Sequence, residues 1–317
     1  MNEYTAIDGF LIGSAQDMTG LTGVTVIICK DGMTAGIDIR GGSPGTRETD
    51  LLDPVNTVDK IHAAVLSGGS AFGLAASTGV MKYLYENGIG FETGFVKVPI
   101  VSQAVLFDLP VGEGFAFPDE KMGYSACQNA KTCVDVGGTG AGTGATIGKI
   151  RGYEYAMKSG LGYAKLKTEN GVETAAIVAV NALGDIYENG KIIAGALSDD
   201  KKSFADTEKI LLNLKKAKTW NGQNTTIGAV MTNAALSKAQ MKKVAQMAHD
   251  GYARAIKPVH TSLDGDTIFA LSSAKVPGSV DITGHMGAIC MEKAIINAVK
   301  SAKSFQNLIS FDDLKND

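Results

Sequence analysis

The sequence predicts an α+β protein, a four-layer αββα sandwich in which two buried sheets are covered by helices on their outer faces. Three observations carry this. Apolar, β-branched runs without alternation, at 23–29, 175–180 and 226–232, read as strands buried on both faces. Short turn signals join several strand pairs, which favours hairpins over the long crossovers of a parallel doubly wound sheet. Helix-rich blocks alternate with strand-rich ones, as helices layered over sheets require.

Taken in order, residues 23–29 (Gly-Val-Thr-Val-Ile-Ile-Cys) and 34–40 form the arms of a predicted hairpin about Lys30-Asp31-Gly32. Helices are predicted over 58–66 and 70–87, the second closed by Gly88. The strand 175–180 runs into Asn181 and turns through Gly184-Asp185, and a further strand covers 226–232. Ser237-Lys238-Ala239-Gln240 is a capping box ahead of Met241, Val244, Ala245, Ala248, Tyr252 and Ala255 at helical spacing, with Pro258 as its stop. The last predicted helix spans 286–303. Length alone, 317 residues, would suggest two domains, but only 7 Pro and an even spread of 39 Gly leave no linker, so one domain over 1–317 is expected.

Charge and composition exclude several classes. Thirty Lys and Arg against 33 Asp and Glu give a formal charge of -3, with no basic stripe for a nucleic acid. No apolar run reaches the ~18 residues of a membrane span, and Met1-Asn2-Glu3-Tyr4 lacks the positive start of a secretory signal. A soluble, cytoplasmic protein follows. Cys29, Cys127, Cys133 and Cys290 show no CxxC pairing and no His at zinc spacing, so free thiols and no metal or other cofactor are expected. His62, His249, His260 and His285 read as structural or surface residues.

The segment 136–145 (Val-Gly-Gly-Thr-Gly-Ala-Gly-Thr-Gly-Ala) is the most unusual in composition. A phosphate loop ending in Gly148-Lys149 would need Gly where Thr143 stands and Ser or Thr where Ile150 stands. Gly140, Gly142 and Ala145 fit a relaxed dinucleotide pattern, but Gly148 and Gly152 interrupt the helix that should follow. A tight loop presenting backbone N–H groups is the better reading, with Gly142 and Gly144 as candidates for substrate or oxyanion contact.

Serine-hydrolase patterns fail: Gly68-Gly69-Ser70-Ala71-Phe72 is no nucleophile elbow. The segment Asn224-Thr225-Thr226-Ile227-Gly228 offers another chemistry, because a Thr between the polar Gly222-Gln223 loop and a buried strand can become a new N-terminus. Its own α-amine, titrating at about 7.7–8.0, would then be the base. Read alone, the same residues are also a turn followed by a strand.

Several long segments decide between those readings: Arg40-Gly41-Gly42-Ser43-Pro44-Gly45-Thr46-Arg47-Glu48-Thr49-Asp50, Leu66-Ser67-Gly68-Gly69-Ser70-Ala71-Phe72-Gly73-Leu74, Gly142-Thr143-Gly144-Ala145-Thr146, Ala179-Val180-Asn181-Ala182, Asn224-Thr225-Thr226, Ala248-His249-Asp250-Gly251 and Asp264-Gly265-Asp266-Thr267. Together they resemble the DmpA family of L-aminopeptidase/D-esterases and β-peptidyl aminopeptidases, which includes nylon-oligomer hydrolases. The resemblance spans residues 40–267. It implies the αββα fold shared with ornithine acetyltransferases and akin to N-terminal-nucleophile hydrolases. It also implies self-cleavage between Asn224 and Thr225 into an α-chain, 1–224, and a β-chain, 225–317, that stay together, commonly in a homotetramer.

By the same resemblance Thr225 is the nucleophile, Asn181 an oxyanion donor, and Asp264 and Asp266 lie beside the nucleophile. Some relatives carry Ser and Glu where this chain has the Asp pair, which leaves the two carboxylates' roles open. A rigid Asn NH₂ suits an oxyanion, and a carboxylate pair can orient a hydroxyl and an ammonium or hold a substrate amine. Lys149 is a candidate to tune the amine or anchor the site, and Tyr124 a candidate second donor. The function expected is release of N-terminal residues, D- or β-amino acids among them, from small peptides, amides or esters. Endo-hydrolysis of 6-aminohexanoate oligomers is the alternative within that chemistry, and a non-hydrolytic phosphate-ligand protein the alternative outside it.

Overall fold

The strand signals of the sequence resolve into one large, bent sheet. The computed structural model describes residues 4–214 and 224–314; Met1–Glu3 and the predicted Gly222-Gln223 loop lie outside them. The sheet is built from β1 (Leu11–Asp17), β2 (Thr22–Ile39), β3 (Lys60–Ser67), β4 (Val101–Val105), β5 (Leu161–Lys167), β6 (Glu173–Asn181), β7 (Thr225–Ala235) and β8 (Thr267–Pro277), with Thr46–Arg47 on the edge beside β4. Four helices cover it: α1 (Ala76–Glu86), α2 (Glu120–Gln128), α3 (Lys238–Ala255) and α4 (Val280–Ser301).

The 18-residue β2 makes two half-sheets out of one. Its first half pairs with β1 and β3, and its second half, from Thr34 to Ile39, pairs with β8, which leads on to β7, β6 and β5. Period-2 alternation then assigns the layers. Ile27, Cys29, Ala64 and Leu66 join Ala175, Ile177, Ala179, Ala229, Met231 and Phe269 in the core between the half-sheets. The alternate residues of β2 and β3, Val26, Ile28, Ala63 and Val65, pack outward on Ala76, Val80 and Ala126 of α1 and α2. Those of β6, β7 and β8, including Val178, Val230 and Ala270, pack outward on α3 and α4. Each fully buried Val, Leu or Ile contributes about 1.5–3 kcal/mol, so three apolar layers need no linker between them.

Three predicted elements differ. The expected hairpin at 23–40 is the continuous strand β2: Lys30 and Asp31 mark an irregularity between Ile28 and Met33, where the strand's pairing partners change, rather than a reversal. The predicted helix over 58–66 is strand β3, because an apolar run buried on both faces carries no period that separates strand from helix. The helix over 70–87 begins as a tight 3₁₀ turn at Ser70–Ala75 and continues as α1, closed by Gly88 at φ 69°. At the other end, α4 starts six residues before the predicted 286.

α3 starts as its sequence dictates. The Ser237 hydroxyl accepts from the Gln240 N–H, and the Gln240 side chain accepts from the Ser237 N–H. All four cysteines are free, with Cys133 half-buried and the others buried.

Candidate active site

Strand direction gathers the site. β7 runs antiparallel to β6 and parallel to β8, so the end of β6 and the beginnings of β7 and β8 meet at one end of these strands. Register sets Asn181 directly across from Thr225, which puts their Cβ atoms about 5 Å apart. The Asp264-Gly265-Asp266 turn comes just before β8 and bridges to Asn224.

Here the peptide bond before Thr225 is tightly held. The Thr225 hydroxyl donates to the Asn224 carbonyl oxygen at 2.5 Å, and the Gly265 N–H donates to the same oxygen at 2.9 Å. Both Asn224 and Thr225 are buried, and the Asn224 Oδ1 has no hydrogen-bond partner. Gly265 must lack a side chain: a Cβ there would sit 2.7 Å from the Thr225 Oγ1. The turn is braced from behind by the Arg40-Gly41-Gly42-Ser43 segment, whose Ser43 N–H donates to the Asp264 carbonyl at 2.8 Å and whose Arg40 N–H donates to that of Asp266 at 3.0 Å. A Cβ on Gly41 would lie 2.2 Å from the Asp264 carbonyl oxygen, so only Gly allows this approach.

The two carboxylates are buried, at 2% and 1% exposure, so the acidic turn is no solvated surface loop. Asp264 accepts from the Thr261 N–H at 2.9 Å and hydroxyl at 2.5 Å on one oxygen. Burial and then the neighbouring Asp266 charge push its pKa up to about 6, against the pull of those bonds and of Lys149. Asp266 accepts from the Thr226 N–H at 2.9 Å on one oxygen, and from the His260 N–H at 3.1 Å and ring Nδ1 at 2.9 Å on the other.

Lys149 closes the other side. Its ammonium donates to the Asn181 Oδ1 and the Asn181 carbonyl, both at 2.8 Å, and to the Thr146 carbonyl at 3.2 Å. Burial pushes its pKa down to about 7, while the charges of Asp264, Asp108 and Asp266 pull it back up. The Asn181 Oδ1 also accepts from the Thr146 N–H at 3.1 Å, and its Nδ2 donates to the Phe107 carbonyl at 2.9 Å. These bonds fix the amide's orientation and leave one Nδ2 hydrogen uncommitted.

Thr225, Asn181, Asp264, Asp266 and Lys149 therefore converge, with Asn224 at the junction. Three other sequence candidates do not join them. Tyr124 lies on α2 in the outer helical layer, where its hydroxyl donates to Glu86 on α1 at 2.7 Å and its ring packs on Tyr83. Gly142 commits its N–H to the Thr139 carbonyl and packs on the Leu161 N–H, and Gly144 packs against Asp108 and the Leu21 carbonyl. These glycines make room for backbone and side-chain contacts. The loop is also the inverse of a phosphate cradle: the Gly142 and Ala145 carbonyls converge on the buried Lys158 ammonium, at 3.1 and 3.3 Å.

Sequence reasoning missed His260, read as structural, and Asp108. The Asp108 carboxylate is 1% exposed and accepts from the Gly69 N–H at 2.7 Å and the Thr22 hydroxyl at 2.8 Å; burial pushes its pKa up to about 6. Gly68 and Gly69 belong to a quoted motif, and Gly68 has no room for a Cβ beside Asp108. The glycine pair itself was the available signal. Among the described residues no group of three or more His, Cys, Asp or Glu is arranged to hold a metal, and no helix is long and apolar enough to cross a membrane.

Comparison with known proteins gives the family and the fold. An aminopeptidase of Mycobacterium leprae, described as uncharacterized, is 37% identical over 98% of this chain and 93% of its own length. A 6-aminohexanoate-oligomer endohydrolase of Kocuria is 31% identical over 92% of this chain and 81% of its own. Among solved structures, the L-aminopeptidase D-Ala-esterase/amidase of Ochrobactrum anthropi, described as a variant of the Ntn hydrolase fold, superposes with a TM-score of 0.71 at 17% identity, over 99% of this chain and 93% of that one. A Burkholderia beta-aminopeptidase gives 0.71 at 18% identity, over 96% and 88%. These two share the fold. The model of peptidase family S58 matches residues 2–309, and the chain belongs to that family.

Proposed function

We propose that this chain is a self-processing aminopeptidase that cleaves itself between Asn224 and Thr225 and then uses Thr225 as an N-terminal nucleophile. The supporting observation is the double hold on the Asn224 carbonyl oxygen by the Thr225 hydroxyl and the Gly265 N–H. In the first reaction the Thr225 Oγ attacks the Asn224 carbonyl carbon and its proton passes to the departing Thr225 nitrogen. The C–N bond breaks and an ester forms; water then hydrolyses it to an Asn224 carboxylate and a free Thr225 hydroxyl and amine. Asp264 is the group we assign to carry that proton, since a carboxyl with a pKa of about 6 exchanges protons near neutrality.

In turnover the Thr225 amine takes the hydroxyl proton as the oxygen attacks a substrate carbonyl, and Asn181 Nδ2 supplies a donor to the developing oxyanion. The Lys149 ammonium holds that amide in place through Oδ1 and favours the amine's neutral form. The two chains, 1–224 and 225–317, stay associated because β7 is a central strand between β6 and β8, and the assembly is a homotetramer in the cytoplasm. Substrates are small peptides, amides or esters bearing a free N-terminal residue, D- and β-amino acids among them. The likeness to the Kocuria enzyme favours a second reading, endo-cleavage of 6-aminohexanoate oligomers.

Kinetics on an amino-acid p-nitroanilide and on a capped 6-aminohexanoate oligomer separate the two. Cleavage of the anilide but not the capped oligomer is expected; the reverse pattern favours the endo reading. Thr225→Ala should lose both activities, and a Thr225→Ala protein with wild-type turnover would end the nucleophile assignment.

A further inference from the structure

The residue that grips Asp266 has no role in the reaction described so far. His260 donates twice to one carboxylate oxygen, through its backbone N–H at 3.1 Å and its ring Nδ1 at 2.9 Å. A carboxylate only accepts, so Nδ1 carries the hydrogen. The other Asp266 oxygen receives the Thr226 N–H at 2.9 Å, and that N–H belongs to the peptide unit that follows Thr225. The connection from imidazole to nucleophile is thus one carboxylate long.

Two features argue that this grip is selected rather than incidental. His260 sits at φ 57°, the left-handed region that costs a non-glycine residue energy, and that conformation lets its N–H and ring reach the same oxygen. Its Nε2 is buried without a hydrogen-bond partner, and the imidazole's centroid lies 4.7 Å from that of the His249 ring and 5.9 Å from that of the Tyr252 ring. An apolar side chain would fill that space without the unpaired nitrogen, so the Nδ1 bond is the feature that favours an imidazole there.

We propose that His260 is a positioning residue for the nucleophile: by locking the Asp266 carboxylate it fixes the 225–226 peptide plane, and with it the aim of the Thr225 hydroxyl and amine. Asp266 is then an orienting group, and Asp264 is left as the carboxylate that exchanges protons. The inference rests on Thr225 being the nucleophile.

The test compares His260→Gly with His260→Asn in the full chain. Gly and Asn both tolerate φ 57° and keep the backbone N–H, but only Asn carries an amide nitrogen near the place of Nδ1. The expected result is that His260→Gly slows self-cleavage and lowers kcat by about tenfold or more, with KM within about threefold, since loss of aim costs the chemical step rather than binding. His260→Asn should recover at least half of that loss on a logarithmic scale. Equal kcat in wild type and His260→Gly, or no recovery in His260→Asn at matched thermal stability, would overturn the proposal. Thr225→Ala run alongside separates the failures: if it stays active, the nucleophile assignment fails, and if it is dead while His260→Gly is wild-type, only the positioning role fails.

Discussion

Two lysines, Lys149 and Lys158, follow the Gly-rich loop, and both are removed from solvent at 6% and 2% exposure, yet their surroundings differ. Lys149 meets the Asn181 side chain and feels the charges of Asp264, Asp108 and Asp266. Lys158 donates only to backbone carbonyls, those of Gly142, Ala145 and Ser159 at 3.1, 3.3 and 2.5 Å, and feels the charge of Asp108 but not of the Asp264/Asp266 pair. Burial pushes the pKa of each down to about 7, so desolvation alone cannot tell a reactive lysine from a structural one. The partners tell them apart: the Asn181 carboxamide and the charges of Asp264 and Asp266 at one, loop carbonyls alone at the other.

The sharpest way to break this contrast is to delete each ammonium. Lys149→Met should leave a folded chain whose self-cleavage and turnover fall by up to about 10²–10³, the usual cost of losing an oxyanion donor, because the Asn181 amide loses the ammonium that orients it. Equal self-cleavage in Lys149→Met and wild type, followed on denaturing gels, would remove Lys149 from the site. Lys158→Met should act on stability instead, because it strands three buried carbonyls at roughly 1–3 kcal/mol each, partly offset by the lost desolvation of a cation. A fall of about 3 kcal/mol in urea unfolding is expected, with kcat of the folded protein less affected than in Lys149→Met. Unchanged stability would show that the carbonyl knot holds nothing.

A pH profile sharpens the comparison further. Asp264, raised to about 6 from the ordinary carboxylate range, takes up a proton as pH falls through 6, so self-cleavage, where it carries the proton, should slow on that side. Lys149, lowered to about 7, loses its charge as pH rises past 7, so a second decline should follow. A self-cleavage rate that stays flat between about pH 5 and 9 would contradict both assignments. The smallest effect belongs to Tyr124→Phe, which removes only the surface bond to Glu86 and should alter turnover by less than about twofold.

The sequence was most legible where local and long-range signals agree. The capping box at Ser237 and the buried run at 226–232 appear as α3 and β7 nearly as written, and Thr225, Asn181, Lys149 and the Asp264/Asp266 pair converge. Legibility failed where one local signal admits two structures: Lys30-Asp31-Gly32 reads as a turn but rides a strand that changes partners, and 58–66 is apolar without a period. His260 and Asp108 were hidden for another reason. Their importance lies in contacts with Asp266 and Gly69 that depend on a positive φ or on bare glycine backbone, and no spacing rule records either.

The central claim is the cut before Thr225, and N-terminal sequencing of the purified wild-type protein, alongside Thr225→Ala, tests it most directly. The wild type is expected to give two termini, one of them beginning Thr225-Thr226-Ile227-Gly228, and Thr225→Ala a single uncut chain. Fully active protein that remains one chain, or a second terminus at any other residue, would contradict it.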